Sequence, residues 1–195
     1  MAQLFFKYGC MDSGKTMQLL ATKHNYDAYG RTCLIMSPSI DTRSGYRTIK
    51  SRLKGLEEPA EAIEEGMDIY HKVATMDIIP DAILVDEAQF LSIEHINQLA
   101  EIVDKLGIPV LCFGLKTDFQ SKLFSGSKRL LEVSDKIEEI KTICAYCNHK
   151  AIMNGRFRNG KLVTDGKQIQ VGDEEYKPLC RYHYSKLKEA TECMS

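Results

Sequence analysis

The eight residues Gly9-Cys10-Met11-Asp12-Ser13-Gly14-Lys15-Thr16 restrict the fold of this chain more than any other stretch, because they satisfy the pattern G-x-x-x-x-G-K-[ST]. Such a loop cradles polyphosphate when a buried strand leads into it and a helix leaves it, so that backbone N–H groups and the helix N-terminus face the anion. Both flanks comply. Gln3-Leu4-Phe5-Phe6-Lys7-Tyr8 reads as a buried strand, and Lys15 to Tyr29 contains neither proline nor glycine. In that helix, Met17, Leu20, Ala21 and His24 are predicted to share the buried face. A chance glycine-rich turn containing Lys and Thr would need neither flank, so the loop is read as nucleotide-binding.

Downstream, short apolar runs alternate with helical stretches. Thr32 to Met36, Ala82 to Val85 and Pro109 to Phe113 read as buried strands, Ala60 to Ile63 as a weaker one, and Lys136 to Ile143 as the last. Met67 to Ala74 reads as a short helix. Ser92 is placed to cap a longer one, whose apolar face is Ile93, Ile96, Leu99, Ala100, Val103 and Leu106, with Gly107 and Pro109 as stop signals. Ser39 to Glu58 is polar and aperiodic, carrying Asp41, Arg43, Arg47, Lys50, Arg52 and Lys54, and reads as an irregular loop. This alternation implies an α/β fold with a parallel sheet covered by helices on both faces. Ligands of such sheets sit at the carboxyl ends of the strands. The phosphate loop, the pair Asp86-Glu87 and the loop Gly114 to Phe119 are all predicted at that edge.

With 195 residues, 44% of them hydrophobic, the chain can bury one sizeable core and a small satellite. The character of the sequence changes at Cys144, which divides it into a nucleotide-binding domain, 1–143, and an appendage, 144–195. The appendage carries Gly155, Gly160, Gly166 and Gly172, and Asn159-Gly160 between Arg156-Phe157-Arg158 and Lys161-Leu162-Val163 signals a hairpin. Burial alone would not hold so polar a segment. Cys144-Ala145-Tyr146-Cys147 and Cys180-Arg181-Tyr182-His183 supply three thiolates and an imidazole for a closed, tetrahedral, structural zinc site. His149 competes as a ligand, but its single-residue separation from Cys147 is awkward. Cys10, Cys112 and Cys193 have no partner pattern.

Composition narrows the partners. A net charge of -1, from 26 basic and 27 acidic residues, provides no global field toward nucleic acid or an anionic membrane. No apolar run approaches the length of a membrane span and no secretory pattern opens the chain, so a cytoplasmic, reducing location is expected.

The chemistry concentrates on a few residues. A carboxylate after a buried strand is where phosphate-loop enzymes hold Mg²⁺, a role that falls to Asp86. Glu87 is placed either to accept a proton from an attacking hydroxyl or to orient water; the alternative for both acids is that they simply open the next helix, favoured by its dipole. Lys15 is expected on the β and γ phosphates and Thr16 on the metal. Asp41 and Arg43 are either further groups near the phosphates or ordinary surface charges. Phe90, Phe119 and Phe124 are candidates for an aromatic slot or for core.

Taken together, the phosphate loop with Met11 and Ser13-Gly14-Lys15-Thr16, Asp86-Glu87-Ala88-Gln89-Phe90, Gly114-Leu115-Lys116-Thr117-Asp118-Phe119 and the four zinc ligands resemble the cytosolic, zinc-containing thymidine kinase family, from Gln3 to about His183. The resemblance implies a RecA-like phosphate-loop domain joined to a small zinc domain whose lasso-like loop closes over the nucleoside. It further implies transfer of the γ-phosphate of ATP to the 5′-hydroxyl of thymidine or deoxyuridine for DNA precursor salvage, generally by a homotetramer inhibited by thymidine triphosphate. Carried over by position, the catalytic base is Glu87, the metal-associated acid Asp86, and the phosphate-proximal pair Asp41 and Arg43. The nucleoside pocket is Met11, Leu115, Phe119 and Phe124, with the lasso around Val171, Gly172 and Tyr176. Asn154 falls near a position that contacts the thymine methyl in some members. Two residues depart from the family pattern: Cys10 replaces a frequent proline, and Asp12 brings a carboxylate close to the triphosphate. The competing readings are an ATPase module driving a nucleic-acid partner, which lacks a second motor domain and a basic stripe, and a zinc-stapled adaptor that binds nucleotide only for stability.

Overall fold

The computed structural model describes residues 1–40, 48–50, 57–168 and 175–192. Before Cys144 the strands are β1 (Leu4–Tyr8), β2 (Cys33–Pro38), β3 (Thr48–Lys50), β4 (Glu57–Pro59), β5 (Glu61–Ile63), β6 (Ala82–Val85), β7 (Val110–Gly114) and β8 (Lys136–Glu139). Six of them make one parallel sheet in the order β5-β2-β6-β7-β1-β8. The interposition of β7 sets the loop after β1 and the acids after β6 on either side of the loop after β7, all at one edge.

The pleat explains why these strands read as continuous apolar runs. Leu4, Phe6, Met36, Ile83, Val85, Val110 and Cys112 point to one face, where they join Ile69 and Val73 of α2 (Ile69–Ala74), Ile96 and Leu99 of α3 (Ile93–Glu101) and Leu130 of α4 (Ser125–Val133). Their alternates Phe5, Ile35, Leu84, Leu111 and Phe113 point to the other, against Leu19 and Leu20 of α1 (Lys15–Ala28). Both faces are therefore covered, as the alternating pattern requires. Each wholly buried Leu, Ile or Phe contributes about 1.5–3 kcal/mol by leaving water.

Several local expectations are corrected. On α1 the buried residues are Lys15, Leu19 and Leu20, whereas Met17, Ala21 and His24 face solvent. The phosphate loop sets the rotation of this helix: once Lys15 turns into the loop, only residues about one turn on can reach the sheet. The polar stretch before Glu58 contains β3, paired antiparallel with β4, and Ile49 anchors it by burying against Leu84 and Phe113. The last strand stops at Glu139, and Ile143 is exposed. Ser92 caps α3 as expected, its Oγ accepting from His95 N at 3.1 Å, and the helix continues through a π-type turn at Ile102–Leu106 to Gly107 at φ 69°. Ile93, at the exposed start of that helix, lies off its buried face.

Beyond Cys144, β9 (Met153–Arg158), β10 (Lys161–Leu162) and β11 (Glu175–Leu179) form a second sheet in the order β10-β9-β11, followed by α5 (Arg181–Glu192). The hairpin turn lies at the predicted Asn159-Gly160, with φ 51° and 75°. Both residues tolerate the left-handed backbone that a two-residue hairpin needs. Phe157, Leu162 and Leu179 bury with Cys144, Cys180 and Tyr184 in a cluster separate from the main core.

Candidate active site

Loop geometry follows from its glycines. A Cβ on Gly9 would stand 2.3 Å from Ser13 Oγ and 2.6 Å from the Ile140 carbonyl oxygen, so only glycine lets the loop close on itself. Gly14 enters α1 at φ 82° and Asp12 sits at φ 60°. Asp is among the few non-glycine residues that adopt the left-handed region readily, which gives a conformational reason for the carboxylate at this position. The Lys15 ammonium is buried and donates to the carbonyls of Cys10 at 2.8 Å and Gly9 at 3.4 Å. Burial pushes the neighbouring Cys10 thiol up to about 11, so it stays protonated at neutral pH.

Across the edge, the Thr16 hydroxyl donates to Asp86 Oδ2 at 2.9 Å, and Asp86 Oδ1 accepts from the Glu87 amide at 3.0 Å. Asp86 is only 4% exposed. Burial, then repulsion from Glu87, raises its carboxyl to about 7. A hydroxyl and a desolvated carboxylate form a hard oxygen pair suited to Mg²⁺, whose charge would offset the desolvation that raises Asp86. Glu87 occupies the left-handed region at φ 48° and opens a 3₁₀ turn, Ala88–Phe90, rather than the next helix. This carboxylate accepts from Gln89 Nε2, and Gln89 Oε1 accepts from the Leu115 amide at 3.0 Å. One buried amide thus orients Glu87 against the loop after β7.

That loop carries the predicted nucleoside residues. Leu115, Phe119 and Phe124 are buried, and Phe124 meets Phe90 edge-on with ring centroids 5.6 Å apart. Phe119 is capped by the Arg156 guanidinium, 3.6 Å from its ring centroid. Tyr176 pairs with Arg156 across β9 and β11, on the face that also carries Asn154. Met11 joins this group through its amide, which donates to Asn154 Oδ1 at 2.8 Å. Asp41, Arg43, Val171 and Gly172 lie outside the described residues, as does Cys193.

At the far side of the second sheet, Cys144, Cys147, Cys180 and His183 place their ligand atoms within 4.8 Å of one another. The Sγ atoms of Cys147 and Cys180 are 3.8 Å apart, and His183 Nδ1 lies 3.6 Å from Cys144 Sγ and 3.3 Å from Cys180 Sγ. Tetrahedral zinc with ordinary Zn–S and Zn–N bonds has edges of about 3.8 and 3.6 Å, so this donor set fits that ion. His149 Nδ1 approaches Cys147 Sγ at 3.3 Å but stands outside the set of four.

The family profile described as thymidine kinase matches residues 2–184. The chain belongs to the thymidine kinase family. It is 51% identical to a thymidine kinase of Lactobacillus acidophilus, covering 94% of this chain and 96% of that one. It is 50% identical to a thymidine kinase of Streptococcus pyogenes, covering 94% and 97%. Among solved structures, the AMPPCP-bound DnaA of Aquifex aeolicus aligns at a TM-score of 0.42 and 20% identity, over 71% of this chain and 40% of that one.

For this thymidine kinase family chain, the residues that sequence reasoning missed are the polar ones joining its loops. Gln89 was visible inside the acidic motif, two residues past Glu87, but its role depends on where the Leu115 amide lies. Asp118 lies in the motif Gly114 to Phe119 and Arg156 beside the hairpin turn, but local spacing reveals no role for either. Arg156, 1% exposed, donates to the carbonyls of Lys167 at 3.0 Å and Asp165 at 3.3 Å. Asp118 accepts from the amides of Gln120 and Lys122 and from Gln168 Nε2.

Proposed function

We infer that this protein transfers the γ-phosphate of ATP to the 5′-hydroxyl of thymidine or deoxyuridine, supplying nucleoside monophosphate for DNA precursor salvage. The observation that carries the reading is the chain Thr16–Asp86–Glu87–Gln89–Leu115, which joins a phosphate loop to the loop carrying the buried Leu115 and Phe119 through two adjacent acids. Residues of the loop from Gly9 to Thr16 bind the triphosphate, and Lys15 exchanges its carbonyl partners for phosphate oxygens. Thr16 and Asp86 would hold Mg²⁺, which neutralises charge on the phosphates when bound. Glu87, oriented by Gln89, accepts the proton of the 5′-hydroxyl as it attacks.

Met11, Leu115, Phe119, Phe124 and Tyr176 enclose the nucleoside, and Asp41, Arg43, Val171 and Gly172 act as the family resemblance implies. Main-chain groups in a dry slot reject a base with reversed donors and acceptors, whereas a methyl pocket distinguishes thymine from uracil by only about 1–3 kcal/mol. The zinc is structural, since four protein ligands leave no open position. It staples a lasso domain that begins at Cys144. A homotetramer in the cytoplasm is the assembly proposed; among the described residues no helix is long and apolar enough to cross a membrane.

The deciding experiment offers ATP and Mg²⁺ with thymidine, deoxyuridine, deoxycytidine or single-stranded DNA, and separates nucleoside monophosphate from free phosphate. Thymidine monophosphate without excess free phosphate is the expected result. Free phosphate rising only with DNA would replace the kinase by a nucleic-acid-driven ATPase.

A further inference from the structure

Asn154 projects from β9 of the zinc-bearing unit, yet both ends of its side chain are used in the other unit. Its Oδ1 accepts from the Met11 amide of the phosphate loop at 2.8 Å, and its Nδ2 donates to the Thr117 carbonyl of the loop after β7 at 2.9 Å. The side chain is 4% exposed. The amide orientation is dictated by its partners: reversing it would set N–H against N–H and carbonyl against carbonyl. Its carrier is the central strand of the second sheet: Asn154 stands opposite Pro178 of β11, and β10 pairs on the other side at Phe157 and Arg158. It also lines a shallow cleft with Gly9, Cys10, Lys116 and Thr117, at the meeting of the two loops.

We propose that Asn154 is a positioning residue that fixes the phosphate loop relative to the loop carrying Leu115 and Phe119, so that the zinc-bearing unit sets the register of phosphate donor and acceptor. The phosphate loop and the loop after β7 leave the neighbouring strands β1 and β7, whose ladder ends where Gly9 N donates to the Gly114 carbonyl at 3.2 Å; beyond that point the Asn154 amide, from a third piece of chain, bridges them. Met11 is the third residue of the phosphate loop, so its N–H governs how the N-terminal half of the loop lies before the turn at Asp12. Thr117 stands two residues from Leu115 and two from Phe119. A strand is a stiffer anchor than a loop for such a strut. Transfer between two bound substrates depends steeply on their relative placement, and about 1 Å of misplacement is enough to cost about 100-fold in rate. The inference deepens the kinase reading of the same site and rests on it for the word acceptor, but its direct readouts need no nucleoside turnover.

The test compares the full-length, zinc-loaded wild type with Asn154→Ala and Asn154→Asp. Measurements are zinc stoichiometry, calorimetric binding of a non-hydrolysable ATP analogue with Mg²⁺, amide hydrogen exchange at Met11, and the kcat and KM values for thymidine phosphorylation. In Asn154→Ala both hydrogen bonds are lost. Analogue affinity should fall about 10-fold, Met11 exchange should accelerate and kcat should fall, with zinc content unchanged. Asn154→Asp keeps the acceptor for the Met11 amide and loses the donor to Thr117. It should leave Met11 protected while kcat still falls. If only the KM for thymidine rises, with analogue binding and Met11 exchange unchanged, Asn154 serves base recognition and the proposal is overturned. If zinc is lost from Asn154→Ala, the Asp variant decides by the same readouts. Absence of thymidine turnover in the wild type would refute the kinase reading and leave the Met11 and analogue results to judge the strut.

Discussion

Asp86 and Glu87 are adjacent carboxylates with opposite surroundings, one sealed against Thr16 and the other held by Gln89, and the roles proposed for them divide along that difference. Glu87→Gln keeps the hydrogen-bonding shape but cannot accept a proton. Steady-state turnover should fall by about 10²–10⁴-fold while calorimetric affinity for an ATP analogue stays the same. Unchanged turnover would remove Glu87 as the base. For Asp86 the folded-state value, raised to about 7, exceeds the ordinary 3.8, so the fold favours the protonated form. Its contribution to stability is therefore full below about pH 4 and is lost as pH rises through 7. In metal-free buffer, Asp86→Asn should gain on the wild type by about 1–4 kcal/mol between pH 4 and pH 8, read from denaturant melts at each pH. Parallel pH profiles would show that the burial cost is met elsewhere.

At the scale of elements, the phosphate loop and α1 were the most legible parts of the chain and α1 was also the most misjudged. Its existence followed from the absence of proline and glycine, yet its buried face did not, because Ala21 and His24 are weak markers and Lys15 turns inward with the loop. A polar sequence likewise concealed β3 and β4, whose pairing depends on Ile49 reaching a core built by distant strands. Strands β6 and β7 and the hairpin after β9 were plain, since continuous burial and an Asn-Gly turn are local signals. The close approach of Ser13 to Gly9 yields a prediction at this scale. Gly9→Ala forces the loop away from the end of β8, an overpacking that costs about 1–3 kcal/mol. ATP-analogue affinity should drop at least ~10-fold, with the far-UV spectrum of the folded protein retained. Wild-type affinity in this variant would mean that the loop relaxes freely.

Across the whole molecule, two cores of unequal size are joined by polar contacts, among them those of Asn154, Gln168 and Tyr184. Cys144 and Cys180, members of the cluster that fits zinc, belong to the smaller core, and Tyr184 of α5 reaches out of it, donating from its hydroxyl to the Phe119 carbonyl at 2.6 Å. Chelation should therefore abolish thymidine binding while the parallel sheet, with its own two-sided core, stays folded. Equilibrium binding and circular dichroism on the same chelated sample check this. Loss of both together would show that the two cores form one cooperative unit and that no boundary lies at Cys144.

What the sequence determined by itself were the features set by local spacing: a phosphate loop between strand and helix, acids at a strand end, an Asn-Gly hairpin and two ligand pairs able to surround one metal ion. Each depends on residues within a few positions of one another, where backbone geometry leaves little choice. Tertiary structure decided how those pieces face each other. Gln89 became the orienting group for Glu87 because β6 and β7 lie side by side, bringing the Leu115 amide within reach. Asn154 became a strut because the second sheet lies against a loop 143 residues earlier in the chain. A polar side chain that bridges such distances carries no periodic signature, and its chemistry exists only once folding has placed a donor and an acceptor on either side of it.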